Sequence, residues 1–173
     1  IRKDPVTEFR LAAIEAMPEV LTQRPNTICA IVGDGELRND LEGLAVRLGI
    51  ASHVRFPGFR QDVPTVLKAL DVFVMPSHME GLGTSVLDAM AQQVPVVATQ
   101  AGGLKELLAD ERGLLCAPGD ARGLAEQIAQ LLDDPERGSA LAARALHEVR
   151  LRYGVDKMVQ MYERLYRQVV VAP

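Results

Sequence analysis

The feature that most restricts the fold is a repeated change of period along the chain. Short, unbroken apolar runs alternate with longer stretches in which apolar residues recur every three or four positions. The runs are "TICAIV" (27–32), "VRFPGF" (54–59), "DVFVM" (71–75), "PVVAT" (95–99) and "GLLCAP" (113–118). Successive residues of a strand face opposite ways, so a run that is apolar throughout needs cover on both faces. The intervening segments supply it. "FRLAAIEAMPEVL" places Leu11, Ile14 and Leu21 on one side with Met17 and Val20 near them, and "LRNDLEGLAVRLG" spaces Leu37, Leu41, Leu44 and Leu48 at helical intervals. "VPTVLKAL", "TSVLDAM" and "ARGLAEQIAQLL" repeat the pattern. Strands separated by helices predict a doubly wound, Rossmann-like α/β domain with a parallel sheet.

At 173 residues the chain suits one such domain, 1–173, with enough length for a sizeable core. From about residue 135 onward the strands stop and two helical segments remain. The last, "VDKMVQMYERLYRQVV", sets Val155, Met158, Val159, Tyr162, Leu165, Tyr166 and Val169 in a broad stripe. That stripe either packs on the domain's own sheet or reaches towards a partner domain.

A net charge of −4 argues against a general nucleic-acid surface, so an anionic ligand must be held by local groups. No apolar run approaches the roughly 18 residues of a membrane span. The opening "IRKDPVTEF" is not a signal peptide, so a reducing, cytoplasmic setting is expected. Cys29 and Cys116 both fall in strand-like runs, where a free thiol acts as a small hydrophobe. The three histidines are scattered and no Cys/His cluster has metal-ligand spacing, so no metal is predicted.

In an open parallel sheet, ligands bind beyond the carboxyl ends of the strands. Three junctions there are rich in small or polar residues: "VGDGE" (32–36), "PSHMEGLG" (76–83) and "TQAGGLKE" (99–106). Glycines let backbone approach a ligand, and the first N–H groups of a helix favour an anion. "GLGTS" has that form, with hydroxyls on Thr84 and Ser85; a plain turn with a Thr or Ser cap reads equally well. Asp88 lies one helical turn beyond Thr84, on the same face. Its carboxylate can accept bonds from two adjacent hydroxyls, as on a ribose, or simply favour the helix start. A loop acid such as Glu80 is usually just solvated. No G-x-G-x-x-G opens the first helix, and there is no P-loop and no G-x-S-x-G elbow.

Taken together, "IVGDGELRNDLEGLAVRLGIASHVRFPGF", "DVFVMPSHMEGLGTSVLDAMAQQVPVVATQAGG" and "GLLCAPGD" resemble the donor-binding C-terminal domain of retaining GT-B glycosyltransferases. These form the large group that includes bacterial sugar-polymer, mannosyl and sucrose-synthase-type enzymes. The likeness covers nearly the whole chain, with motifs in family order. The family signature is a Glu, seven residues, then a second Glu; here it is Glu80 and Asp88, one methylene shorter at the second position. The resemblance implies that Glu80 contacts and positions the donor sugar, as the catalytic residue of the site. Backbone N–H groups of Gly81, Leu82 and Gly83, followed by Thr84, would face the sugar and diphosphate, and Asp88 would hold the ribose. The backbone around Phe59 and Arg60 would border the nucleobase, with Gly33 and Gly35 facing the same cleft.

The chain departs from the family at three places. The Arg and Lys that usually clamp the diphosphate are not matched: the Lys position falls on Pro5, leaving Arg2 or Lys3 as substitutes. The helix-ending glycine is Gln93, which is strained if its backbone is left-handed. The proline after the double glycine is Lys105. The resemblance further implies a nucleotide-sugar donor as substrate, no cofactor, and an acceptor held by an N-terminal domain that the last helix crosses to meet. Any peripheral membrane association would come through that other half. The alternatives are a non-catalytic nucleotide-sugar binding module and half of a GT-B epimerase.

Overall fold

The computed structural model describes residues 5–170, with side chains from Leu11 onward. The alternation read from the sequence is present throughout. In order the elements are α1 (Pro5–Gln23), β1 (Cys29–Val32), α2 (Arg38–Arg47), a 3-10 turn (Ala51–His53), β2 (Val54–Gly58), α3 (Val63–Lys68), β3 (Phe73–Met75), α4 (Thr84–Ala91), β4 (Val96–Thr99), α5 (Leu104–Leu107), β5 (Leu114–Cys116), α6 (Ala121–Asp133), α7 (Pro135–Arg152) and α8 (Val155–Val170). The helix α5 is four residues long, too short for a period to reveal it in sequence.

Every strand pairing is parallel. The strands form two hydrogen-bonded pieces, β1–β2 and β3–β4–β5, rather than one continuous sheet. β4 is buried along its whole length. One cluster joins Val96 and Ala98 to Val86, Ala89 and Met90 of α4 and to Leu104 and Leu107 of α5. A second joins Val97 and Cys116 to Leu124, Ala125 and Ile128 of α6 and to Ala16 and Val20 of α1. Odd and even residues of β4 therefore enter different clusters, as an all-apolar run requires. A third cluster packs Ile14 and Met17 of α1 with Leu41 and Leu44 of α2 and with Val54, Cys29 and Ile31. Thus α1 contributes to the cores of both sheet pieces.

Helix ends follow local chemistry. Asp120 accepts a hydrogen bond from the Gly123 N–H (2.8 Å) at the start of α6, and Asp134 accepts one from Arg137 (2.9 Å) ahead of Pro135 in α7. α2 stops at Gly49, whose φ of +70° lets the Ile50 N–H reach back to the Ala45 carbonyl. α4 stops in the same way: Val94 N–H donates to the Ala89 carbonyl, but the left-handed residue is Gln93, at φ +57°.

The terminal helix leaves its apolar stripe uncovered among the described residues. No residue of α8 is buried, and the seven stripe residues are 45% to 71% exposed. The stripe does not pack on this domain's own sheet. Tyr162 and Tyr166 instead stack on each other at the surface, with ring centroids 6.3 Å apart.

A side chain in the left-handed region costs roughly 1–2 kcal/mol, partly offset by the greater freedom glycine brings to the unfolded chain. Gln93→Gly is expected to raise stability by about 1 kcal/mol, seen as a higher urea midpoint. An unchanged or lower midpoint would show that α4 tolerates Gln93 without strain.

Candidate functional site

The site is built from loops at the carboxyl ends of the parallel strands. β3 ends at Met75 and its loop, 76–83, leads into α4; β4 ends at Thr99 and its loop leads into α5. These two loops are fastened together at both ends. The Thr99 hydroxyl donates to the buried Ser77 carbonyl at the start of the first loop. The Gly103 N–H donates to the Glu80 carbonyl (3.1 Å) near its end. Between these points the backbones touch. A Cβ on Gly102 would lie 2.0 Å from the Glu80 carbonyl oxygen, and one on Gly103 would lie 2.1 Å from that of Gly81. Only glycine permits such an approach.

Glu80 is half-buried, and its carboxylate accepts a bond from the Gly83 N–H at 3.3 Å. Gly83 takes φ +74°, and a Cβ there would meet Leu104 Cδ2 at 2.7 Å. It is the N-cap of α4, and no side chain caps this helix. The Thr or Ser cap considered from the sequence is therefore not formed. The intrahelical ladder begins with Val86 N–H to the Gly83 carbonyl, so the amides of Thr84 and Ser85 precede it. Asp88 is exposed on α4, one turn beyond the exposed Thr84. Gly81 and Leu82 are exposed at the crest of the loop, and the His78 ring lies near Gly119, whose Cβ would meet it at 3.4 Å.

A second pair of loops meets at the ends of β1 and β2. Gly33, at φ +115°, donates its N–H to the Gly58 carbonyl (2.9 Å). Asp34 accepts a bond from the Phe59 N–H (2.9 Å) and lies 3.4 Å from Arg38. Gly35 accepts from the Arg38 N–H. Phe59 is 70% exposed. Arg60 grips Asp62 through two bonds of 2.8 and 2.7 Å, which raises the Arg60 pKa and lowers that of Asp62. Its charge is thereby partly committed. Lys105 is exposed on α5, and Lys3 lies outside the described residues.

Sequence reasoning marked all three junctions but missed the residues that join them. Asp34 was readable as an acid between two glycines, and Thr99 as a polar residue closing an apolar run. Neither signal says which partner it meets. Among the described residues, no group of three or more His, Cys, Asp or Glu side chains is placed to hold a metal ion. No helix among them is long and apolar enough to cross a membrane. Cys29 and Cys116 are free, and burial pushes both thiols up to about 11, aided at Cys116 by the negative charge of Asp120.

This architecture and its loops are those of the C-terminal domain of a GT-B glycosyltransferase. The chain belongs to the glycosyl transferases group 1, whose pattern matches residues 12–148. It is 40% identical over 131 residues to the lipopolysaccharide core biosynthesis glycosyltransferase LpsE of Rhizobium meliloti, covering 75% of this chain and 38% of that protein. Among solved structures, Anabaena HepE in complex with UDP-glucose superposes with a TM-score of 0.80 at 30% identity, over 90% of this chain and 44% of that one. The C-terminal domain of a glycosyl transferase group 1 family protein, LpcC, from Francisella tularensis superposes at 0.77 and 28% identity, over 86% of this chain and 81% of that one. The chain spans less than half the length of the curated relatives it matches.

Two outcomes follow from this geometry. Gly102→Ala should push the Glu80 backbone aside and cost about 1–3 kcal/mol, with amide shifts centred on Glu80 to Gly83; a variant as stable as the parent with unmoved amides would show that the loops are not braced there. Iodoacetamide at pH 8 should leave the buried Cys116 unmodified in the folded protein and alkylate it in urea. Rapid labelling of Cys116 in the native state would contradict a protonated, sheltered thiol there.

Proposed function

We propose that this domain binds a nucleoside-diphosphate sugar and serves as the donor half of an enzyme that transfers the sugar with retained anomeric configuration. The observation that carries the reading is the braced turn from Glu80 to Gly83 at the uncapped start of α4, with Asp88 one turn into that helix. The amides of Thr84 and Ser85 and the partial positive charge of the helix start suit a diphosphate. The bracing loop fixes them before the ligand arrives, so little reorganisation is needed as charge develops on the leaving group. Glu80 then positions the sugar, and Asp88 accepts from the ribose hydroxyls. Phe59 and the backbone beside it border the base, with the Gly33–Gly35 turn lining the same cleft.

Such a site needs no protein nucleophile if the acceptor attacks on the face the diphosphate is leaving. Holding both reactants in place supplies much of the acceleration. The acceptor comes from an N-terminal domain of the full enzyme, and the exposed stripe of α8 is the surface that docks on it. The relative whose solved structure contains UDP-glucose supports this class of donor; the sugar and base of this protein follow from the titration below.

Titration with UDP, GDP, ADP and their sugar conjugates, followed by NMR, is expected to shift amides from Gly81 to Asp88 with one preferred base. Shifts elsewhere would move the site. In the intact enzyme Glu80→Ala should lower turnover about a hundredfold or more. Asp88→Ala should weaken nucleotide affinity about tenfold, the worth of one or two hydrogen bonds. Near-parental turnover in the first variant, or unchanged affinity in the second, would remove that residue from its role.

A further inference from the structure

One charged side chain is buried among the described residues, and it takes no part in the loop site. Arg112 is 9% exposed and lies in the turn between α5 and β5. Its Nη2 donates to the Glu106 carbonyl of α5 at 2.7 Å, and its Nη1 lies 2.8 Å from Glu148 Oε1 of α7 in an ion pair. Glu148 is itself nearly buried, and the same oxygen lies 3.2 Å from Arg152 Nε one turn further along α7. The arrangement is costly. Arg112 Nε is buried without a hydrogen-bond partner, and an unsatisfied buried donor lowers stability. Asp110 and Glu111, just ahead of it, are left-handed at φ +53° and +57°, a region that disfavours any residue with a side chain. Glu111 is held there by Arg144 of α7 at 2.5 Å.

A buried ion pair gains little over apolar side chains of the same volume. What a guanidinium does supply is direction, because its planar fork fixes two partners at once. The partners here are the far end of α5 and the face of α7. The Glu106 carbonyl is among those that a helix end leaves without a partner inside the helix. With α5 only four residues long, an outside donor there matters more than it would in a long helix. The near end of α5 is Gly103, whose N–H donates to the Glu80 carbonyl, with Gly102 pressed against the same group. α7 is eighteen residues long and packs Ala145 and Val149 into the core that holds Val86 and Met90 of α4. Arg112 therefore ties one end of α5 to the body on which α4 rests. The other end of α5 touches the turn that opens α4.

We propose that Arg112 is a positioning residue for Glu80, with Glu148 as its anchor on α7. It holds α5 by its last turn, so that Gly102 and Gly103 at the other end keep the Glu80 backbone where its carboxylate meets the sugar. The contact with a sugar rests on the donor reading; the link from Arg112 to the Glu80–Gly83 backbone does not.

Arg112→Met combined with Glu148→Leu replaces the pair by apolar side chains and should leave a folded protein. In this chain without ligand, the NMR signals of the Gly102, Gly103 and Glu80 to Gly83 amides should move, while those of α6 stay in place. Ile128→Val, a core change on α6, should lower the urea midpoint and leave the loop amides unmoved, so lost stability alone does not produce the effect. In the intact enzyme the double variant should lower kcat about tenfold or more, with the KM for the donor changed far less. The donor for that assay is whichever of the UDP, GDP and ADP sugar conjugates the parent chain binds. Arg112→Lys, which keeps the charge and loses the fork, should move the same amides by less, and it carries the test if the double variant does not fold. Loop amides at parental positions in a folded variant would overturn the proposal, as would a kcat equal to the parent's. Amides that move in a protein that binds none of those conjugates would remove the donor reading and leave the brace from Arg112 to Glu80 standing.

Discussion

β4 is sheltered on both faces, and this burial holds the remaining elements in register. Val96 and Ala98 belong to the core made by α4 and α5, while Val97 faces α6 and α1. At about 25 cal/mol for each Å² of apolar surface removed from water, a short run buried on two sides outweighs the local preference of any single residue in it. The strand also ends in Thr99, whose hydroxyl grips the neighbouring loop that leaves β3. The most buried element of the domain therefore positions the turn from Glu80 to Gly83.

That turn owes its form to contact between backbones. Gly102 and Gly103 bring one loop against the carbonyls of Glu80 and Gly81, and Gly83 turns left-handed to start α4. The consequence is electrostatic. A helix start with no side-chain cap leaves amides directed outward, and a carboxylate three residues earlier accepts one amide of the same turn. An anion arriving there meets donors already fixed in direction. The Asp34 carboxylate does similar work at the neighbouring turn by holding Phe59 N–H.

Several features were legible because they depend on neighbours in sequence. Apolar runs broken by helical periods gave the element order, and the spacing of Glu80 and Asp88 put one acid in a loop and the other on the helix it opens. The resemblance pointed to Gln93 as a residue in a glycine position, and its φ of +57° agrees. Other features were not legible. The four-residue α5 is barely one helical turn, too short for a repeat to disclose it. The bond from Thr99 to Ser77 joins residues 22 apart, and nothing local to either names the other.

Period and composition by themselves determined that the chain alternates strand and helix and which junctions carry acids and glycines. The cover expected on both faces holds along β4, whereas every second residue of β1 is exposed, as are Arg55 and Pro57 of β2. Period and composition act over a few residues, through side-chain spacing and backbone preference. Only the tertiary structure decided that, among the described residues, the sheet is divided between β1 and β3, two loops close on each other at Gly102 and Glu80, and the apolar stripe of α8 finds no cover. Those outcomes depend on where distant segments are brought by the crossovers. A pattern of apolar residues states that a surface must be buried; the path of the chain decides against what.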